Sequence, residues 1–108
     1  MNSRIELEVD FTGALIINWI GEANDRCPRA VLAPVFKELV EMKRYLRFNF
    51  CDLEHMSSST LVVVMKFFKQ LHNLGVGFDM RFDEREPWQR MTFSQLDGLT
   101  TPPAQVAA

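Results

Sequence analysis

The chain has 108 residues, a formal net charge of −2, 47% hydrophobic side chains and 24% charged ones. These values suit one globular domain with a modest core and exclude a chain that is disordered throughout. The basic residues are scattered from Arg4 to Arg90 with no continuous stripe. Nothing stands ready to neutralise a run of phosphates, so nucleic acid is not an expected partner.

The opening residues Met1-Asn2-Ser3-Arg4-Ile5-Glu6 hold no apolar h-region, so no signal peptide is expected. The longest apolar run, Leu61 to Met65, is far too short to cross a bilayer, and no membrane insertion is expected. Cys27 and Cys51 lie far apart, which is neither a disulfide framework nor a metal knuckle. The expectation is a reduced, cytoplasmic protein with no metal and no cofactor.

Residues 4–11 alternate strictly between polar and apolar and predict a half-buried strand. Thr12-Gly13 supplies a turn, and Ala14 to Ile20 predicts a second strand, close enough to pair with the first as an antiparallel hairpin. Gly21 to Pro28 reads as a loop. Up to Tyr45, the apolar positions Val31, Leu32, Val35, Phe36, Leu39, Val40 and Met42 recur at helical spacing. Pro34 either opens the regular part of this helix or kinks it. Leu46 to Cys51 alternates again, with Leu46, Phe48 and Phe50 on one face.

Residues 57–74 have a β-rich centre in Leu61-Val62-Val63-Val64-Met65. However, Leu61, Val64, Met65, Phe68 and Leu71 form one helical face, with Val62, Lys66, Lys69 and Asn73 opposite and Val63 and Phe67 flanking. Capping serines Ser57-Ser58-Ser59 and the stop at Gly75 settle the segment as a helix. Val76 to Asp83 predicts the fourth strand. Pro87 then opens a short helix to about Leu96 that Gly98 closes. Residues 1–99 are expected to form a single domain, and 100–108 a disordered tail.

The order is β-β-α-β-α-β-α. Alternating strands, unlike continuous apolar runs, imply one covered sheet face and one wet one. The fold class is therefore α/β, a small mixed sheet with its helices mainly on one face.

Ile20-Gly21-Glu22-Ala23-Asn24 resembles the apolar-Gly-x-apolar-x element that follows the second strand of the STAS domain, the fold of anti-sigma factor antagonists. Phe50-Cys51-Asp52-Leu53-Glu54-His55-Met56-Ser57-Ser58-Ser59-Thr60-Leu61 resembles that family's strand, Asp-Leu, spacer and Asp-Ser-Ser-Gly-Leu helix opening. Gly75-Val76-Gly77-Phe78 and Gly98-Leu99 resemble two of its later glycine positions, so the resemblance spans roughly 5–99. It implies a phosphoacceptor at Ser58, with Ser57, Ser59 and Thr60 as the other candidate hydroxyls. The sequence departs from the pattern at Ser57, where the family has Asp, and at Thr60, where it has Gly. The family's final strand and helix have no counterpart in the nine residues after Leu99.

A serine at the start of a helix offers its hydroxyl beside unpaired backbone N–H groups and the positive end of the helix dipole, where a phosphate is stabilised. Phosphorylation there would place nearly two negative charges, close in sequence to Asp52 and Glu54, on a surface that a partner had packed as neutral. Helix capping accounts for the same serines equally well. The functional expectation is a regulatory protein–protein interaction module that binds a serine kinase, an anti-sigma factor or another switch protein. Its docking residues would be Met56, Ser57, Ser58, Thr60, Val62, Lys66 and Lys69. The alternative is a non-phosphorylated adaptor of the same fold, serving a transporter ATPase or a signalling scaffold. No phosphate loop, nucleophile elbow or acid–base pair points to an enzyme. Oligomeric state is left open.

Overall fold

Alternation at the start of the chain makes a strand that pairs with the apolar run after it. In the computed structural model, which describes residues 3–100, β1 (Ser3–Val9) and β2 (Leu15–Ala23) form an antiparallel hairpin with Ile5 opposite Trp19 and Leu7 opposite Ile17. Asp10 closes the turn by accepting from the backbone N–H of Thr12 at 2.8 Å and of Ala14 at 3.1 Å. The Thr12 hydroxyl, helped by those two amides, holds the Asp10 carboxyl below its usual range.

On the other side of β2 lies β3 (Leu46–Asn49), and beyond it β5 (Phe78–Arg81), both parallel to β2. A further strand, β4 (Leu53–Met56), pairs in parallel with the far end of β2 and completes a five-stranded mixed sheet. Between the strands run α1 (Pro28–Glu41) and α2 (Ser58–Leu74); α3 (Pro87–Phe93) and a 3-10 helix (Ser94–Leu99) follow.

The expected α/β mixed sheet with one helix-covered face is what the chain forms. Leu15, Ile17, Trp19, Leu46, Phe48 and Phe78 are buried under Leu32, Phe36 and Leu39 of α1 and Val64, Phe68 and Leu71 of α2. The opposite face stays polar. Asn18 Nδ2 donates to Glu8 at 3.0 Å, Asn49 Nδ2 to Asn18 Oδ1 at 2.7 Å, and the Cys51 amide to Asn49 Oδ1 at 3.1 Å. Burial pushes the Asp79 carboxyl up on that face, with Arg47 beside it opposing the shift.

Several details differ from the sequence expectation. The second strand does not stop at Ile20; it runs on to Ala23 past an irregularity at Gly21, whose φ of 98° suits only glycine comfortably. The first helix starts at Pro28 and ends at Glu41, well short of Tyr45, and contains Pro34 on its exposed side, where water can serve the carbonyl left without a donor. In α2 the buried stripe is Thr60, Val64, Phe67, Phe68 and Leu71, so Phe67 is core and Leu61 and Met65 are half-buried. The Phe67 ring is drawn inward by the Phe36 ring of α1, stacked on it at 3.9 Å. Gly98 lies within the 3-10 helix and so does not close α3. Of the tail expected from 100 to 108, residues 101–108 lie outside the described residues.

β4 is absent from the sequence expectation, and a single buried side chain explains how it forms. The chain leaves β3, turns at Cys51-Asp52, and resumes beside β2 as β4. The Gln89 side chain of α3 is 1% exposed and fills this break. Its Nε2 donates to the carbonyls of Phe50 and Leu53, each at 2.9 Å, and its Oε1 accepts from the Asp83 amide at 2.7 Å. Gln89→Leu keeps the volume and removes the side-chain partner of two carbonyls and one amide, with the Phe50 carbonyl keeping the Leu53 amide at 3.0 Å, so it should cost about 2 kcal/mol in urea unfolding. Gln89→Glu, which cannot donate to the carbonyls, should also destabilise; a loss below about 1 kcal/mol for both would show that water satisfies the break as well.

Candidate functional site

The candidate surface begins where β4 ends against β2. The Ser57 amide donates to the carbonyl of Ala23 at 2.9 Å, which fixes the entry of the chain into α2. Ser57 is the N-cap: its Oγ accepts from the Thr60 amide at 3.3 Å and sits 2.8 Å from the Thr60 hydroxyl. Its carbonyl accepts from the Leu61 amide at 2.9 Å. The cap therefore serves Thr60 and Leu61 and leaves the amides of Ser58 and Ser59 as unused first-turn donors. No acidic side chain lies in that first turn to compensate the helix dipole.

Ser58 is the first residue of this 17-residue helix, and it is exposed. Among the described residues its hydroxyl enters no side-chain hydrogen bond, whereas the Ser57 hydroxyl has partners in Ser59 and Thr60. Ser59 is exposed as well. Thr60 is only 1% exposed, so it belongs to the core and the cap and offers no surface to a partner or a kinase. Met56, 8% exposed, is likewise a core residue packed at the end of β4. Both leave the set of docking residues expected from sequence.

The rest of that set comes together on one side of α2. Val62 is 48% exposed, and Lys66 and Lys69 are exposed beyond it. At spacings of four, four and three residues, Ser58, Val62, Lys66 and Lys69 form one solvent-facing stripe. An apolar residue between a hydroxyl and two cations gives a partner something to cover.

Neighbouring residues take structural roles. His55 is exposed on β4, with its ring centre 6.5 Å from that of half-buried Trp88, which in turn packs on Phe93. His72, in the last turn of α2, lies with Nδ1 3.3 Å from the carbonyl of Leu99 and ties the 3-10 helix to α2. Burial pushes the Cys51 thiol up, away from reactive thiolate character. Trp19 is core. Among the described residues no cluster of His, Cys, Asp or Glu could hold a metal ion, and no helix is long and apolar enough to cross a membrane.

One concavity escaped the sequence reading: a groove of about 480 Å³ between α1 and α2, floored by Phe36 and Phe67. The signal for it was present in Phe67, whose place beside the buried stripe put an aromatic ring at the helix–helix seam.

Neither a family model nor a curated protein matches the chain. Solved structures do. A crystal structure of an anti-sigma factor antagonist from Mycobacterium paratuberculosis is similar with a TM-score of 0.68 at 17% identity, over 91% of this chain and 82% of that one. The anti-sigma factor antagonist SpoIIAA in its unphosphorylated form is similar with a TM-score of 0.54 at 18% identity, over 71% of each chain.

Two substitutions separate cap from surface. Ser57→Ala should lower stability by about 1 kcal/mol in chemical denaturation, while Ser58→Ala should change it by less than about 0.5 kcal/mol. Equal losses would mean that the cap is shared. By these structural likenesses, the chain has the STAS fold of anti-sigma factor antagonists.

Proposed function

We propose that this protein is a cytoplasmic regulatory module that docks a protein partner through the Ser58–Lys69 stripe of α2 and is switched by phosphorylation at Ser58. The observation that carries the reading is the division of labour at the helix start. Ser57 caps, and Ser58 stands exposed beside amides that the cap leaves unused. A phosphate on Ser58 would be held by those amides and by the helix dipole, so the modified form costs the fold nothing. A partner packed over Val62 would then face a dianion, with the desolvation cost of burying it unpaired. The matching partner is a serine kinase of the anti-sigma type, whose own active site must reach the same hydroxyl.

One observation favours a second reading. Ser57 and Thr60, standing where the resembled family has Asp and Gly, are joined hydroxyl to hydroxyl at 2.8 Å in a closed cap. The helix start is rigid and carries no acid, which suits a constitutive adaptor for a transporter ATPase or a signalling scaffold.

Ser58→Asp and Val62→Asp test both readings. Each should leave the circular dichroism spectrum and melting temperature near wild type, because both positions are exposed. In retention from cell lysate, an ATP-binding kinase or its associated regulator should be held by wild type and lost with either variant. A partner lost with Val62→Asp but held equally by Ser58→Asp would establish the adaptor. A large fall in melting temperature for Val62→Asp would place Val62 in the core and remove the surface altogether.

A further inference from the structure

The groove between α1 and α2 shares only Lys66 with the stripe just described, and its chemistry names a different occupant. Its α1 wall presents Arg29, Ala33, Lys37 and Val40 in successive turns, and its α2 wall presents Val63, Lys66 and Gln70. Phe36 and Phe67, stacked nearly parallel at 4°, close the bottom. The apolar floor is thus flanked on both sides by cations.

That charge runs against the composition of the chain. The protein carries a net charge of −2, yet the rim of this groove holds Arg29, Lys37 and Lys66 against the one carboxylate of Glu41. Among the described residues none of those three cations enters a salt bridge. Unpaired cations beside apolar surface keep their attraction for an incoming anion, since no internal partner has neutralised them.

Spacing decides between kinds of anion. From Arg29 to Lys37 is about 12 Å along α1, at 1.5 Å per residue, and Lys66 stands on the other wall. One phosphate or carboxylate headgroup cannot serve all three. A ligand with several separated carboxylates can, and the groove from Arg29 to Glu41 is about 18 Å long, the length of about three helical turns. We infer that the α1–α2 groove docks an acidic amphipathic helix of a protein partner. Its apolar face would lie on Val40, Val63 and the Phe36–Phe67 floor, and its Asp or Glu side chains would reach the cations on either rim. This inference does not rest on the Ser58 reading.

The probe is a stapled amphipathic helix of about four turns, with Leu at i, i+4 and i+7 and Glu on both flanks; its counterpart carries Lys in place of every Glu. Fluorescence anisotropy and amide chemical shifts of the full chain are the readouts. The acidic helix should bind with shifts centred on Ala33, Val40, Val63 and Gln70, and the Lys counterpart should not. The double variant Arg29→Glu/Lys37→Glu should lose at least about tenfold in affinity while its amide spectrum outside α1 stays that of the folded protein.

Absence of binding up to about 1 mM would overturn the inference, as would equal binding of both peptides or shifts on the open sheet face. Tighter binding of dodecyl phosphate than of the acidic helix at the same amides would replace it with a single-headgroup lipid site. Arg29 and Lys37 lie outside the Ser58 stripe, so the double variant should still retain a Ser58-dependent partner. Failure of one reading is therefore visible without failure of the other.

Discussion

The arrangement of the end of this molecule that carries the candidate site depends on the Gln89 side chain. A strand that leaves β3 and rejoins the sheet as β4 must interrupt its ladder, and the interruption leaves backbone groups inside the protein where water has little access. Gln89 answers with both ends of one amide, donating to Phe50 and Leu53 and accepting from Asp83. Three elements are joined at one point: the β3–β4 break, the segment after β5, and α3. A neutral amide suits the position because it supplies donors and an acceptor together without burying charge.

The consequence reaches α2 through a short chain of contacts. With the break satisfied, β4 lies along β2 with Met56 opposite Ala23, and the Ser57 amide finds the Ala23 carbonyl. That hydrogen bond delivers Ser57 to the cap position and turns Ser58 outward. The exposure of one hydroxyl thus follows from a buried glutamine some thirty residues later in the chain. Local sequence alone does not determine it, because any of three consecutive serines suits a cap.

Most of the fold was legible because it is written in periodicity. The hairpin, the outer faces of β3 and α2, and the one-sided layering all follow from polar and apolar spacing, and the burial of Leu46, Phe48 and Phe50 matches that spacing. β4 was illegible for a physical reason: Leu53-Glu54-His55-Met56 is only four residues long and is buried at both ends but exposed between, so it shows no alternation. The reach of β2 to Ala23 was hidden behind Gly21, which punctuates a sequence as a loop does but here serves as an irregularity within a strand. At the site, the helix phase read from α2 placed Val62, Lys66 and Lys69 outside correctly. Met56 was misplaced because it belongs to β4, which the reading lacked, and Thr60 because the stripe was phased on Leu61 and Met65, whereas Thr60 stands one turn before Val64 on the buried face. The α1–α2 groove required two helices to be set side by side, which no single-segment pattern contains.

α2 emerges as an element with three separate obligations. Val64, Phe68 and Leu71 hold it to the sheet, Phe67 and Val63 border the groove with α1, and Ser58, Val62 and Lys69 face solvent. Lys66 stands at the boundary of the last two. This partition gives one helix of a small domain two surfaces besides its core face. A charge placed at the helix start alters the solvent stripe directly, but at about 12 Å from Lys66 it lies beyond the screening length of about 8 Å at physiological ionic strength and hardly reaches the groove. A charge at the helix start is therefore only weakly felt in the groove, and Lys66, which belongs to both surfaces, is the side chain through which occupancy of one would bear on the other.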